Sequence, residues 1–154
     1  MDKSDAEVIE LVLPAENRWL QSARLTVSGV ASRARLSVAQ IEDLKLAVGE
    51  ACTNAVEHAY GPDHPNPTIR IRCKILSDQF VVEVIDEGCG FLLDESVLDP
   101  KCPPAGEHGL GLFIICSTVD HVDIDTAPGA GTKVTMVKRA LLPEDADPDL
   151  SDDE

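Results

Sequence analysis

Aromatic residues are scarce in this sequence of 154 residues, which contains one Trp, one Tyr and three Phe. Hydrophobic residues still make up 44% of the chain, so the sequence predicts one domain with an aliphatic core. No apolar run approaches the roughly 20 residues that a membrane-spanning helix needs. The N-terminal segment is acidic, whereas a secretory signal begins with basic residues and continues with a long apolar stretch. We therefore expect a cytoplasmic protein without a membrane anchor.

Basic residues are also few: 13 Lys and Arg face 28 Asp and Glu, which gives a net charge of −15. Residues 143–154 contain seven of the acids and none of the bases. They are predicted to form an acidic disordered tail that follows a domain of residues 1–142. The remaining 21 acids and 13 bases leave that domain with a net charge of −8. A surface of that sign repels nucleic-acid phosphates, so direct binding to DNA or RNA is not expected.

The five cysteines are an odd number and include no C-x-x-C pair, and none of the four histidines lies at zinc-ligand spacing from them. Reduced, small apolar side chains in a cytosolic protein are the simplest interpretation of this pattern. The sequence therefore predicts neither a disulfide framework nor a structural zinc site.

Hydrophobic periodicity and turn residues predict a layered fold. The predicted strands are residues 7–13, 68–76, 79–85, 121–126 and 133–138, and the predicted helices are residues 16–34, 37–60 and a third from about 109. Ser37 and Gln40 form a capping-box pair at the start of the second helix. Residues 92–108 read as a long loop with three prolines, a kind of loop that is commonly functional. Together these elements predict an α+β fold, a two-layer α/β sandwich with helices on one face of a mixed, mostly antiparallel sheet.

Two glycine-rich segments at the ends of predicted elements suit a nucleotide. Asp86-x-Gly88-x-Gly90 follows a strand, where a carboxylate can accept a hydrogen bond from an exocyclic amine and the glycines let backbone approach a flat base. Gly109-x-Gly111 opens a helix, where free N–H groups and the helix dipole favour phosphate. Each segment alone is explained by a plain turn or helix start, but their order and spacing together predict a base site and a phosphate site.

The polar face of the second helix adds metal and acid–base chemistry. Asn54 offers a neutral oxygen that suits Mg²⁺, a cation that shares its coordination shell with substrate phosphates. Glu50, one turn earlier, can orient or deprotonate an attacking hydroxyl. His58, one turn after Asn54, is either a phosphate contact or a histidine at the negative end of the helix dipole.

The motifs resemble a known superfamily. Residues 50–60, EACTNAVEHAY, resemble the N box of the GHKL ATPases, which include gyrase, MutL and histidine kinases. Asp86-x-Gly-x-Gly resembles the first glycine box of that superfamily, Gly109-x-Gly the second, and Gly131-Thr132 the closing Gly-Thr pair. Residues 24–33 and 41–48 are similar, almost residue for residue, to the anti-sigma factor serine kinases, especially the stress-response type that regulates sigma-B. The resemblance covers about residues 7–139.

The resemblance implies a Bergerat-fold serine/threonine protein kinase that binds ATP and Mg²⁺ beneath a lid of residues 92–108. It also implies a homodimer that sequesters a sigma factor and phosphorylates a Ser or Thr of a STAS-type anti-sigma factor antagonist. Glu50 would be the general base, Asn54 the Mg²⁺ ligand and Arg24 a partner-binding residue. The cofactor-binding residues would be Asn54, His58, Asp86, Gly88, Gly90, His108, Gly109, Leu110, Gly111 and Thr132. His108 stands where members often have Arg or Gly, so its help to the γ-phosphate would depend on pH.

Two other functions stay open at this point. In the first, ATP only rigidifies a sigma-binding surface and no phosphoryl group is transferred. In the second, the protein is a switch kinase that acts on a stress-signalling scaffold. The presence of both Glu50 and Asn54 favours catalysis, because nucleotide binding alone needs no base.

Overall fold

The computed structural model describes residues 6–93 and 110–141. The helices and strands within these ranges are β1 (Glu7–Pro14), α1 (Leu20–Ala31), α2 (Val38–Asn54), β2 (Thr68–Ile75), β3 (Gln79–Asp86), α3 (Leu110–Thr118), β4 (His121–Thr126) and β5 (Thr132–Arg139). The predicted acidic tail and almost all of the predicted lid lie outside the described residues, as do His108 and Gly109.

The strands form one sheet in the order β1-β2-β3-β5-β4. Each of these neighbouring pairs is antiparallel, so the predicted mostly antiparallel sheet and the α+β class are confirmed. The chain enters β5 beside the end of β3, where Asp86 lies opposite Thr132 in the register. This crossover brings the β4–β5 turn next to the glycine-rich segment that follows β3.

The two faces of the sheet differ sharply in character. One face contributes the fully buried Ile71, Phe80, Val82 and Met136 to a core that is completed by residues of α1, α2 and α3. The other face carries charged cross-strand neighbours, including Glu10, Arg72 and Glu83, in register. The core is mainly aliphatic, as the scarcity of aromatic residues predicts, and helices cover one face of the sheet.

Helix α2 carries the polar residues of interest, and its ends are well defined. Its start is the predicted capping box: the Ser37 hydroxyl accepts from the Gln40 amide at 3.1 Å, and the Gln40 side chain accepts from the Ser37 amide at 2.9 Å. At its other end the helix widens into a π-helical turn, Ala55–Ala59, where the sequence predicts regular helix to residue 60. Such π turns are frequent at functional sites, and this one forms part of the cavity described below.

Helix α1 is shorter than predicted. A single 3-10 turn, Asn17–Trp19, precedes it, and the helix ends at Ala31 rather than near residue 34. The described helix start has no side-chain cap, so the sequence carried no signal that would have fixed this boundary. Among residues 6–93 and 110–141, no helix is both long and apolar enough to cross a bilayer.

Candidate active site

A cavity of about 290 Å³ lies between the end of α2, the carboxyl-terminal end of β3, the start of β5 and helix α3. Its lining is mainly apolar and includes a few polar side chains that converge on it. The lining residues are Ala51, Asn54, Ala55, His58, Ala59, Val84, Asp86, Gly90, Phe91, Leu112, Thr132 and Val134. An apolar cleft with a small number of placed polar groups is the usual form of a site for a flat organic ring.

Asp86 is an acidic side chain that lines this cavity. It is the last residue of β3 and is only 9% exposed. Its Oδ1 accepts a hydrogen bond from the Gly88 amide at 2.9 Å, and the Thr132 amide also donates to its carboxylate. Burial raises the pKa of Asp86 above its ordinary value, and these two hydrogen bonds oppose that rise. The carboxyl is therefore held in a fixed orientation in which it can accept from a ligand donor.

The two glycines after Asp86 have different positions. Gly90 lines the cavity with φ +62°, and a β-carbon there would overlap the carbonyl oxygen of Ala127. Gly88 is outside the set of lining residues, and a β-carbon there would overlap the carbonyl oxygen of Ala59. Between them, Cys89 donates its amide to Ala59 O at 2.7 Å and accepts from the Gly129 amide at 2.6 Å. The glycines thus let this segment approach protein backbone on both sides.

Glu50 and Asn54 of α2 meet Gly111, which is distant from them in the sequence, beside the part of the cavity that Asn54 lines. A β-carbon at Gly111 would lie 3.1 Å from Glu50 Oε2 and 3.3 Å from both side-chain heteroatoms of Asn54. Gly111 is in the first turn of α3, directly after Leu110, which begins the helix and is 51% exposed. The described start of α3, where a helix typically presents amide groups, therefore lies beside the polar face of α2.

Thr132 lines the cavity and belongs to a hydroxyl pair that the sequence did not indicate. Thr126 and Thr132 are opposite each other in the β4–β5 register, and their Oγ1 atoms are 2.9 Å apart. Thr126 Oγ1 lies 3.1 Å from the Gly131 carbonyl, to which it can donate, and accepts from the Phe91 amide at 3.2 Å. Thr126 could be identified only from its position opposite Thr132, and the strand register is needed to know that position.

Tyr60 is a second residue whose role the sequence did not indicate. Its hydroxyl donates to the Thr68 carbonyl at 2.6 Å and accepts from the Glu87 amide at 2.8 Å. Burial is the main cause that raises the pKa of this phenol. The side chain therefore ties the end of the α2 region to the start of β2 and to the residue after Asp86.

Of the two predicted site residues His58 and Arg24, the structure places only His58 at the cavity. His58 lies in the π-helical turn, lines the cavity, and has Nε2 3.7 Å from Glu57 Oε2. Arg24 is on α1, away from the cavity, where its Cδ would lie 3.4 Å from a β-carbon at Gly49 of α2. It borders a surface depression of about 300 Å³ between α1 and α2, with Gln21, Leu25, Glu42, Lys45 and Leu46.

The sequence matches the family model of the histidine kinase-like ATPase domain over residues 13–138. It is 40% identical over 140 residues to the serine-protein kinase RsbW of Bacillus subtilis (strain 168), which covers 86% of this chain and 87% of that protein. It is 37% identical over 142 residues to the serine-protein kinase RsbW of Staphylococcus aureus, with 86% and 88% covered.

Solved structures show the same fold at lower sequence identity. A crystal structure of the RsbU and RsbW domains of a Mycobacterium tuberculosis protein matches with a TM-score of 0.61 and 20% identity, over 86% of this chain and 32% of that chain. A histidine kinase domain from Erythrobacter litoralis matches with a TM-score of 0.54 and 22% identity, over 82% of this chain and 61% of that chain. The predicted fold and family are thereby confirmed, and with the family the use of ATP. The chain belongs to the histidine kinase-like ATPase domain family and, within it, to the serine-protein kinases of the RsbW type.

Proposed function

We propose that this protein binds Mg²⁺ and ATP in the cavity and transfers the γ-phosphoryl group to a Ser or Thr hydroxyl of a small antagonist protein. We propose further that it binds a sigma factor, which the antagonist releases. One observation carries the catalytic part of the proposal: Glu50 and Asn54 both lie against Gly111, at the N-terminus of α3.

The adenine end of the proposed site is the part of the cavity near Asp86. The Asp86 carboxylate accepts a hydrogen bond from the exocyclic amine of adenine. Guanine has a carbonyl group in place of this amine. Apolar side chains such as Val84 and Leu112 contact the faces of the ring. The Thr126–Thr132 hydroxyl pair supplies a further polar contact at the edge of the same region.

The phosphate end is the N-terminus of α3. Its free amide groups and positive dipole end favour the phosphate charge, which matters in a domain whose own net charge is −8. We propose that the Asn54 side-chain oxygen, which lies beside Gly111, holds Mg²⁺ at this end. When bound, the cation neutralises part of the phosphate charge and fixes the geometry of the β- and γ-phosphates.

Glu50 is proposed as the general base. The substrate hydroxyl oxygen attacks the γ-phosphorus, and the bond between that phosphorus and the β–γ bridging oxygen breaks. ADP leaves with the bond's electron pair, and the hydroxyl proton passes to the Glu50 carboxylate. Glu50 is half-buried, on the same helix face as Asn54, so it can reach a hydroxyl aligned with the phosphates.

The partner surface is proposed to be the α1–α2 side of the molecule, around Arg24. Leu25 and Leu46 are 57% and 48% exposed there, beside the charged Arg24, Glu42 and Lys45. A mixture of exposed apolar and charged side chains is typical of a protein-binding surface. The antagonist, the sigma factor and a homodimer are the partners proposed for this protein.

The decisive experiment is phosphoryl transfer by the purified protein and its Glu50→Gln variant, with labelled ATP and Mg²⁺ in a host lysate. We expect one small protein to be labelled on Ser or Thr by the wild type, and a loss of about 100-fold or more in the variant, while ATP binding persists. Glu57→Gln is the matched control, because Glu57 is on the same helical segment but exposed and paired with His58.

Undiminished labelling by Glu50→Gln would remove Glu50 from the role of base. Absence of label with the wild type, when calorimetry shows that ATP binds, would instead assign the protein to the class of nucleotide-gated sigma-binding modules. A labelled scaffold protein in place of a small antagonist would assign it to the switch kinases.

A further inference from the structure

Three exposed arginines form a basic cluster where the end of β5 meets the connection between α1 and α2. Arg33 and Arg35 lie in the connection between α1 and α2, and Arg139 is the last residue of β5. The Leu141 amide donates to the Arg35 carbonyl at 2.7 Å, and the Gln40 side chain donates to the Arg139 carbonyl at 2.9 Å. These hydrogen bonds hold the end of β5 beside the α1–α2 connection, so the three residues lie close together in the fold.

This arginine cluster contrasts with the other basic residues of the molecule. Six described bases form ion pairs with carboxylates: Arg18, Lys45, Arg70, Arg72, Lys74 and Lys138. Within residues 6–93 and 110–141, no carboxylate pairs with Arg33, Arg35 or Arg139, and all three side chains are exposed. Asp120 contacts the cluster through backbone alone, since its Oδ2 accepts from the Arg139 amide at 2.6 Å. Three neighbouring guanidinium groups without an ion-pair partner among the described residues are an unusual feature on a domain of net charge −8.

The most acidic segment of the chain begins at this cluster. Residues 142–154 follow Leu141 directly and contain seven acids and no base. An extended chain covers about 3.3 Å per residue, so these residues can reach each of the three arginines with length to spare. A short tether of this kind keeps the acids at an effective concentration on the order of millimolar, which sustains contacts that are individually weak.

We propose that the acidic segment 142–154 binds the arginine cluster of its own chain. The occupant is identified by charge, since the segment supplies carboxylates for guanidinium groups that have no ion-pair partner among the described residues. It is identified also by its attachment to Leu141, two residues after Arg139. The bound segment lies next to the α1–α2 side that contains Arg24. If the function proposed above is correct, a partner that approaches that side must compete with the segment.

The test compares the full-length wild type with a full-length variant in which the seven acids of residues 143–154 are replaced by their amides. Backbone amide NMR spectra are recorded in about 20 mM and about 1 M salt, since the screening length falls to about 3 Å at the higher concentration. We expect the two proteins to differ at Arg33, Arg35, Arg139 and their neighbours in low salt, and the differences to disappear in high salt.

Two further variants make the test specific. Combined Arg33→Gln, Arg35→Gln and Arg139→Gln should abolish the effect of the acidic segment on the neighbouring amides. Lys133→Gln is the matched control and should preserve it, because Lys133 is also a base outside the ion pairs of the described residues but lies at the other end of β5. A synthetic peptide of residues 142–154 should bind the amide variant. Its affinity should fall by about 10-fold or more when the three arginines of that variant are also replaced.

The proposal is overturned if wild type and amide variant have the same spectra around the cluster, or if the differences lie elsewhere. It is also overturned if the differences grow with protein concentration, because the segment would then bind a second copy. None of these readouts requires ATP, a sigma factor or phosphoryl transfer, so failure here and failure of the proposed kinase function are distinguishable.

Discussion

Asp86 combines the binding role proposed above with a cost to the free protein. Its carboxyl is buried at the end of β3 and has a pKa raised above the ordinary value of 3.8. A buried carboxylate that awaits a ligand donor is stabilised less in the folded protein than in the unfolded chain. Function and stability therefore make opposite demands on this side chain, as they commonly do in binding sites.

Replacement of Asp86 by Asn should lower the affinity for ATP by about 10- to 100-fold, because the amide offers the exocyclic amine a weaker acceptor than a carboxylate does. Calorimetric titration with ATP measures this loss. Asp123→Asn, on the solvent-facing side of β4, is the control and should bind as the wild type does. Equal affinities in Asp86→Asn and wild type would exclude the adenine contact.

The same pair of proteins gives a prediction about pH. Because the folded pKa of Asp86 is raised, the folded protein retains its proton over a window in which the unfolded chain has lost it. The protonated Asp86 carboxyl therefore contributes to the free energy of unfolding at pH values below this window, and the contribution is lost as pH rises through the window. Urea unfolding from about pH 3.5 upwards should show the wild type losing stability relative to Asp86→Asn as pH rises. A constant difference would contradict the shift.

At the level of helices and strands, the first turn of α3 contacts the polar face of α2 where the phosphate end is proposed. Gly111 is in a helix, where Ala is ordinarily more stable by about 0.5 to 1 kcal/mol. A β-carbon at that position, however, would stand 3.1 Å from the Glu50 carboxylate and 3.3 Å from the Asn54 amide. Contacts this close force the two polar side chains to move.

We therefore expect Gly111→Ala to fold normally and to lose about 10-fold or more in phosphoryl transfer, since small displacements of catalytic groups are costly. Gly29→Ala is the control, because Gly29 is also helical but a β-carbon there meets nothing within 4 Å. That variant should gain about 0.5 to 1 kcal/mol of stability with unchanged transfer. Thermal unfolding and the transfer assay separate the two outcomes, and full activity in Gly111→Ala would show that the contact is not functional.

The elements also show where prediction from the sequence succeeds and where it fails. The start of α2 was predictable because the side chains of Ser37 and Gln40 each accept a hydrogen bond from the other's backbone amide within one turn. The π-helical turn Ala55–Ala59 was not, because its backbone is tied by the Cys89 amide at Ala59, a contact between distant parts of the chain. Thr126 was missed for the same reason, since its role depends on strand register.

For the molecule as a whole, the cavity and the proposed partner surface are separate. The cavity lies between the far end of α2 and α3, whereas Arg24 lies between α1 and α2 beside Gly49. Gly49 and Glu50 are nevertheless consecutive residues of one helix. The motifs thus predicted both groups of residues, but only the fold places them on neighbouring surfaces of α2.

This separation predicts that Arg24→Glu weakens partner binding while ATP affinity stays within about twofold of the wild type. Reversal of the charge should cost about 1 to 3 kcal/mol, or roughly 10- to 100-fold, if the partner desolvates the guanidinium. The labelled antagonist from the transfer assay, titrated against both proteins, gives the measurement. Arg18→Glu is the control, because Arg18 is exposed and already paired with Glu16. If Arg24→Glu lowers the affinities for ATP and for the partner in parallel, Arg24 supports the packing of α1 on α2. If neither affinity changes, the partner surface lies elsewhere on the molecule.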